Sequence, residues 1–216
     1  MKFSILPLLF IFFQSSLAAK AETLDSLFSH VPEEVMPIFD RTNKLDLLDL
    51  YNCNLPATVE NKFGGKSQLL EKNETYLKLQ TTSVGTWQMK LLGTAQNSLI
   101  LTVHTLKAGG SSSTLKVYDL EWNEMEIPLP HPSLKDFLVP SLELSEDEAQ
   151  DLETVLSMAP MEAEWNDSLA SLVCSVSISG LSREDKEKVS SILKPIFYDW
   201  NGEAFIPIPS KPVEEE

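Results

Sequence analysis

The feature that most constrains this chain is a series of two-residue alternations between Thr58 and Trp122, separated by short turns. Leu77 and Leu79 fall on one side of a strand, with Tyr76, Lys78 and Gln80 on the other. Trp87, Met89 and Leu91 alternate with Gln88 and Lys90, and Leu99, Leu101 and Val103 alternate with Thr102 and His104. Leu115 and Val117 continue the pattern up to Trp122. A period of two sends successive side chains to opposite faces, so each run reads as a strand. The separators Gly64-Gly65, Val84-Gly85, Gly93-Thr94 and Ala108-Gly109-Gly110 are turn signals, the first closing a strand from Thr58 to Phe63. Parallel neighbours need crossovers of a dozen or more residues, so this spacing predicts an antiparallel meander.

Helical spacing flanks that region. Leu24, Leu27 and Phe28 mark one short helix, and Pro32 suits the first turn of a second segment through Ile38. Asn43 is placed to cap a helix over Lys44 to Tyr51, with Leu47, Leu48 and Tyr51 on the packed face. Later, Ser145 and Glu148 form a capping box before the stripe Ala149, Leu152, Val155, Leu156 and Ala159, which Pro160 ends. Met161, Ala163 and Trp165 alternate with Glu162 and Glu164, and Asn166-Asp167 turns the chain into Leu172, Cys174, Val176 and Ile178. Ser182 and Asp185 cap another helix with Val189, Ile192 and Leu193 inward. The segments Ile196 to Trp200 and Glu203 to Ile206 then form a hairpin around Asn201-Gly202.

The expected fold is therefore α+β: an antiparallel β-sheet meander with short packed helices, with a division into two subdomains left open. Pro128, Pro130, Pro132 and Pro140 resist helix and central strand, which places a linker at 128–140. The expected organisation is a signal peptide at 1–21, helices plus sheet at 22–127, a smaller α+β region at 141–206 and a flexible tail at 207–216.

The first 21 residues read as an export signal. Met1-Lys2 is a short basic start, Ile5 to Phe13 an apolar run interrupted only by Pro7, and Ala19-Lys20-Ala21 offers small residues to a signal peptidase. The run is too short to cross a bilayer comfortably and no second one follows, so no transmembrane segment is expected. The mature chain would begin near Glu22, in a periplasmic or secreted location.

With 17 Lys and Arg against 32 Asp and Glu, the net charge is −15. Such a chain repels phosphate backbones, and its lysines are scattered among acids, which excludes nucleic acid as the expected partner. Cys53 and Cys174 allow one disulfide in an oxidising compartment, against the alternative of free thiols with Cys174 on the core face of a strand.

The search for chemistry assigns no catalytic, cofactor or metal residue. Gly64-Gly65-Lys66-Ser67 resembles the end of a phosphate loop, but Glu60 stands where that loop needs another Gly, so a Lys-tipped hairpin turn is the reading. His30, His104 and His131 lie in three different elements without paired metal spacing. Glu143, Glu146, Asp147, Glu148, Asp151 and Glu153 lack the central Gly of a calcium loop and suit a solvated helix start. Carboxylate pairs for glycoside cleavage can be drawn from many of the 32 acids, for instance Glu162 and Glu164 on one strand face, so the pair has little weight. Trp87, Trp122, Trp165 and Trp200 each sit in a strand pattern, as core packing or as a sugar- or peptide-binding platform. Asn73-Glu74-Thr75 and Asn166-Asp167-Ser168 match the glycosylation sequon.

Four stretches carry a family resemblance: Val31-Pro32-Glu33-Glu34-Val35-Met36-Pro37, Asn43-Lys44-Leu45-Asp46-Leu47-Leu48-Asp49, Asn61-Lys62-Phe63-Gly64-Gly65-Lys66-Ser67 and Trp87-Gln88-Met89-Lys90-Leu91. Over about Leu24 to Trp122 the chain resembles a secreted Bacteroidales family, domain of unknown function 3256. The resemblance implies a location in a Gram-negative cell envelope and no activity. The expectation is an exported, non-enzymatic binding or assembly protein with an unknown protein or glycan partner. The alternatives are a secreted hydrolase with a carboxylate and aromatic cleft, or an inhibitor or chaperone acting through a sheet edge.

Overall fold

A computed structural model describes residues 22–93, 98–139, 145–156 and 159–209 of the chain. The expected signal segment, Glu143 and residues 210–216 lie outside the described residues, as do the side chains of Glu146, Glu148 and Ala149.

Two antiparallel sheets dominate, with a few short helices. The first comprises β1 (Thr58–Glu60), β2 (Lys66–Lys72), β3 (Tyr76–Thr82), β4 (Gly85–Leu92), β5 (Leu99–Lys107) and β6 (Ser111–Tyr118), each paired with its sequence neighbours. The second is ordered β10-β9-β8-β7, from β7 (Met161–Asn166), β8 (Ser171–Val176), β9 (Ile196–Trp200) and β10 (Phe205–Ile208). Both are meanders, as the short turns require.

The helices are α1 (Leu24–Ser29), α2 (Arg41–Asn52), α3 (Glu146–Leu156) and α4 (Arg183–Val189). Leu27 and Phe28 of α1 and Leu47 and Leu48 of α2 pack with Leu77, Leu79, Trp87 and Met89, the apolar face read from the alternation, and with Ile100, whereas Leu101 and Val103 of β5 point to the other face. Each such side chain taken out of water contributes about 1.5–3 kcal/mol. Leu152 and Leu156 of α3 meet Val189 of α4 in a separate small cluster.

The opposite face of the first sheet is also covered. Tyr76, Leu92, Leu101, Val103 and Val117 pack with Ala163, Trp165, Leu172 and Cys174 of the second sheet. The order is thus helices, six-stranded sheet, four-stranded sheet. Gln88, on this second face, is only 4% exposed.

The junction between the sheets explains that burial. β7 is an edge strand, and Ala163 and Trp165 turn their backbone groups away from β8. The Gln88 Oε1 accepts the Trp165 N–H at 2.9 Å, and its Nε2 donates to the Trp165 carbonyl at 3.3 Å and to the Tyr76 hydroxyl at 2.7 Å. One step along, the Ser113 hydroxyl accepts the Ala163 N–H at 2.9 Å and donates to its carbonyl at 3.0 Å, with Thr105 at 2.7 Å from the same oxygen. Side chains rising from β4, β5 and β6 therefore stand where another strand would, satisfying buried backbone groups that are costly to leave unpaired.

Two further edges, β1 and β10, are blocked at particular positions. At β1, Asn43 Nδ2 donates to the Glu60 carbonyl at 3.0 Å, and just beyond the strand Lys62 N–H reaches the Ile38 carbonyl at 3.1 Å. At β10 the edge strand carries Pro207, which has no N–H to offer. The Gly109 loop is held against Gly180 so closely that a Cβ on Gly180 would lie 2.0 Å from the Gly109 carbonyl oxygen.

Several local expectations are corrected. The α2 N-cap is Asp40, not Asn43. Asp40 accepts the Asn43 N–H at 2.8 Å and Asn43 returns a bond to the Asp40 N–H at 3.3 Å, a reciprocal box that starts the helix earlier. The segment after Pro32 forms turns instead of a helix. The strand from Thr58 stops at Glu60 because buried Asn61 Oδ1 takes the N–H groups of Phe63 and Gly65 into a turn, with Gly64 at φ 76°. Trp122 is not in a strand: its φ is 66°, in a turn where Asp119 Oδ1 accepts the N–H groups of Glu121 and Asn123. In the final hairpin Glu203 and Ala204 belong to the turn, while Pro207 and Ile208, expected in the tail, pair with Tyr198 and Phe197. The Ser182 cap stands as expected, accepting the Asp185 N–H at 3.1 Å.

Candidate functional site

The polar side chains singled out in the sequence are mostly engaged in holding the fold. Lys66 opens β2 and Ser67 is buried, its hydroxyl donating to the Thr81 carbonyl at 2.5 Å. With Asn61 holding the neighbouring N–H groups, this segment is a hairpin turn. Glu162 faces Lys107 at 3.8 Å and Glu164 faces Lys78 at 2.6 Å, so each carboxylate has its own lysine. Asp147, Asp151 and Glu153 are exposed on α3.

The histidines stay apart. His30 ends α1, with Nδ1 2.8 Å from the Ser26 carbonyl and Nε2 3.3 Å from the Arg41 guanidinium. His104 lies on β5 opposite Trp87, and His131 lies in the proline segment. Among the described residues no three His, Cys, Asp or Glu side chains converge as metal ligands. The cysteines are free: Cys53 is exposed at the end of α2, and Cys174 is buried, where desolvation pushes its thiol up to about 12.

Trp87, Trp122 and Trp165 are core residues, and Trp200 stacks on Phe205 with ring centroids 5.0 Å apart. The first sequon asparagine, Asn73, donates to Asp167 at 2.6 Å. Asp167 also takes Lys90 at 2.7 Å and the Trp165 indole N–H at 3.1 Å. Burial opposes ionisation of Asp167, but these three donors outweigh it and hold the carboxyl below its ordinary range.

The strongest candidate site is a groove of about 760 Å³, in the size range of ligand pockets. One wall is the proline segment with a 3-10 turn at Leu134–Phe137; the other is formed by Lys194 to Tyr198 and the end of β10. The walls are tied together: Lys194 N–H donates to the Phe137 carbonyl at 2.7 Å and Val139 N–H to the Ile192 carbonyl at 3.0 Å. Pro130, Pro132, Pro195, Pro207 and Pro209 supply stiff edges around Tyr198. Burial raises the Tyr198 phenol above its ordinary value, keeping it a neutral hydroxyl. Asp136 is spent on the wall itself, accepting the Ser133 N–H at 2.7 Å and hydroxyl at 2.8 Å.

The groove holds two lysines without an ion pair, a condition that Lys66 and Lys186 share among the described residues. Elsewhere Lys62, Lys72, Lys78, Lys90, Lys107, Lys116, Arg183 and Lys188 pair with acids. Lys135 and Lys194, both lining the groove, have no acidic partner within 4.0 Å among the described residues. By contrast, a groove of about 630 Å³ between α2 and β1 is lined by Asp46, Asp49 and Glu60 beside Leu50 and Leu55. Sequence reading missed the proline groove because its walls lie far apart in the chain; the unpaired lysines beside prolines were the available signal.

Comparison with known proteins adds fold and family. No curated protein matches the chain. The chain is similar to a solved domain of an uncharacterized protein from Porphyromonas gingivalis W83, at 23% identity and a TM-score of 0.72, covering 86% of this chain and 98% of that one. That likeness establishes the shared fold. The family model described as Protein of unknown function (DUF3256) matches residues 16–205, and the chain belongs to that family.

Proposed function

We propose that this is an exported, non-enzymatic binding or assembly protein of a bacterial cell envelope, which engages its partner through the proline-walled groove. The observation that carries the reading is the pair Lys135 and Lys194, which line one groove without an ion pair within 4.0 Å among the described residues, in a chain of net charge −15. Export rests on the basic start, apolar run and Ala19-Lys20-Ala21 of the first 21 residues. Strand addition at β7, β1 and β10 is disfavoured because Gln88, Ser113, Asn43 and Pro207 stand at those edges. Groove binding is favoured over hydrolysis because the β7 carboxylates are held by lysines.

The test is expression of the full chain in a Gram-negative host, with fractionation and N-terminal sequencing. The expected product is a periplasmic or secreted chain beginning near Glu22; an uncleaved cytosolic chain overturns the export reading. Photo-crosslinking from position 135, compared with position 66 on β2, then reads groove engagement within the envelope fraction. Equal crosslinking from both positions overturns the groove assignment.

A further inference from the structure

We infer that the groove takes an extended acidic peptide segment of a partner protein, its carboxylates seated on Lys135 and Lys194 and an apolar side chain laid against Tyr198. The inference rests on the binding reading above and names its ligand. Lys135 and Lys194 outnumber Asp136, the acid that lines the groove with them and feels the Lys194 charge, so the described lining is net positive and attracts carboxylates at short range. The Asp136 Oδ2 is occupied by Ser133.

The walls argue for a peptide over a bare anion. Pro195, Ile196, Ile208 and Tyr198 add apolar surface to the lining beside the two lysines, and an inorganic anion would leave it unused. The Tyr198 hydroxyl can donate or accept to a peptide backbone. Because the walls are tied by the Lys194–Phe137 and Val139–Ile192 backbone bonds, little ordering cost falls on the protein when the ligand binds. The closed edge at Pro207 directs the ligand into the groove instead of onto β10.

The experiment is fluorescence anisotropy on the cleaved full-length protein with two labelled probes, the peptide Glu-Pro-Ile-Glu-Pro-Ile and its Gln-Pro-Ile-Gln-Pro-Ile counterpart. The expected result is about tenfold tighter binding of the glutamate peptide, weakening as salt rises. The Lys135→Glu/Lys194→Glu variant should abolish the preference, and Lys135→Gln/Lys194→Gln serves if the first fails to fold. Equal binding of the two peptides, both lost in Tyr198→Ala, overturns the acidic ligand while leaving the groove reading standing. Citrate competing as well as the peptide assigns a small anion and also overturns it. Affinity gained on Glu214→Gln/Glu215→Gln/Glu216→Gln would make the chain's own end the occupant, again overturning it. If neither peptide binds and crosslinking from position 135 also fails, both readings fall.

Discussion

Replacing Gln88 with methionine tests the junction between the sheets directly. Methionine is close in volume and flexible, so the change removes polar atoms while opening little space. What it strands are the N–H and carbonyl of Trp165, which Gln88 meets at 2.9 and 3.3 Å in a site where it is itself 4% exposed. Each buried backbone group left without a partner costs about 1–3 kcal/mol, or about 2–6 kcal/mol for the two. The apolar gain from methionine offsets part of this, leaving about 3 kcal/mol. For a chain of this size each kcal/mol moves the melting temperature by about 2–4 °C, so the expected drop is about 6–12 °C. Urea unfolding followed by tryptophan fluorescence gives the free energy, and hydrogen exchange at the Trp165 amide gives the local effect. A loss below about 1 kcal/mol with unchanged exchange would show that β7 does not depend on side chains standing in for a strand.

Further outcomes follow from the same coordinates. Gly180→Ala should destabilise by about 1–3 kcal/mol, because its Cβ would fall 2.0 Å from the Gly109 carbonyl oxygen; unchanged urea unfolding would contradict that close approach. A thiol reagent should label exposed Cys53 in the native protein and buried Cys174 only after unfolding, read by mass spectrometry of the labelled peptides. Lys44 is 3% exposed with its ammonium on the Val31 carbonyl, and burial lowers its affinity for the proton. Between the lowered folded value and the ordinary 10.5, the unfolded chain holds a proton that the folded chain has released, so stability should gain from Lys44 as pH rises there. Lys44→Met should remove that slope in urea titrations. Asp167 behaves oppositely: its folded value lies below the ordinary 3.8, so the stability it adds above that pH disappears as the pH falls through the folded value. Asp167→Asn should flatten the acid limb of the unfolding curve.

The strands were legible because a period of two survives single polar substitutions, and the turns at Gly64-Gly65, Val84-Gly85 and Asn201-Gly202 mark their ends. The apolar set Leu77, Leu79, Trp87 and Met89 packs against α1 and α2 as the alternation requires. The role of Gln88 was not legible, since a polar residue between Trp87 and Met89 marks only the opposite face. The covering of that face by residues some 80 positions later is a long-range fact. Tyr76 and Leu92, apolar on the supposedly polar side, were the trace it left. The α2 cap was misplaced because Asp40 and Asn43 cap reciprocally, and either looks like a start. The groove stayed hidden for a similar reason: prolines read as linker residues become a wall only when Lys194 to Tyr198 arrive beside them.

The guarding of β1, β7 and β10 bears on how copies of this molecule meet at high concentration. Neighbouring chains find Asn43, Gln88, Ser113 and Pro207 in place of free main-chain donors and acceptors, so docking strand to strand has no template there. Strand pairing between copies on crowding or mild heating is thereby directed away from these three edges and toward β6, the remaining edge of the six-stranded sheet.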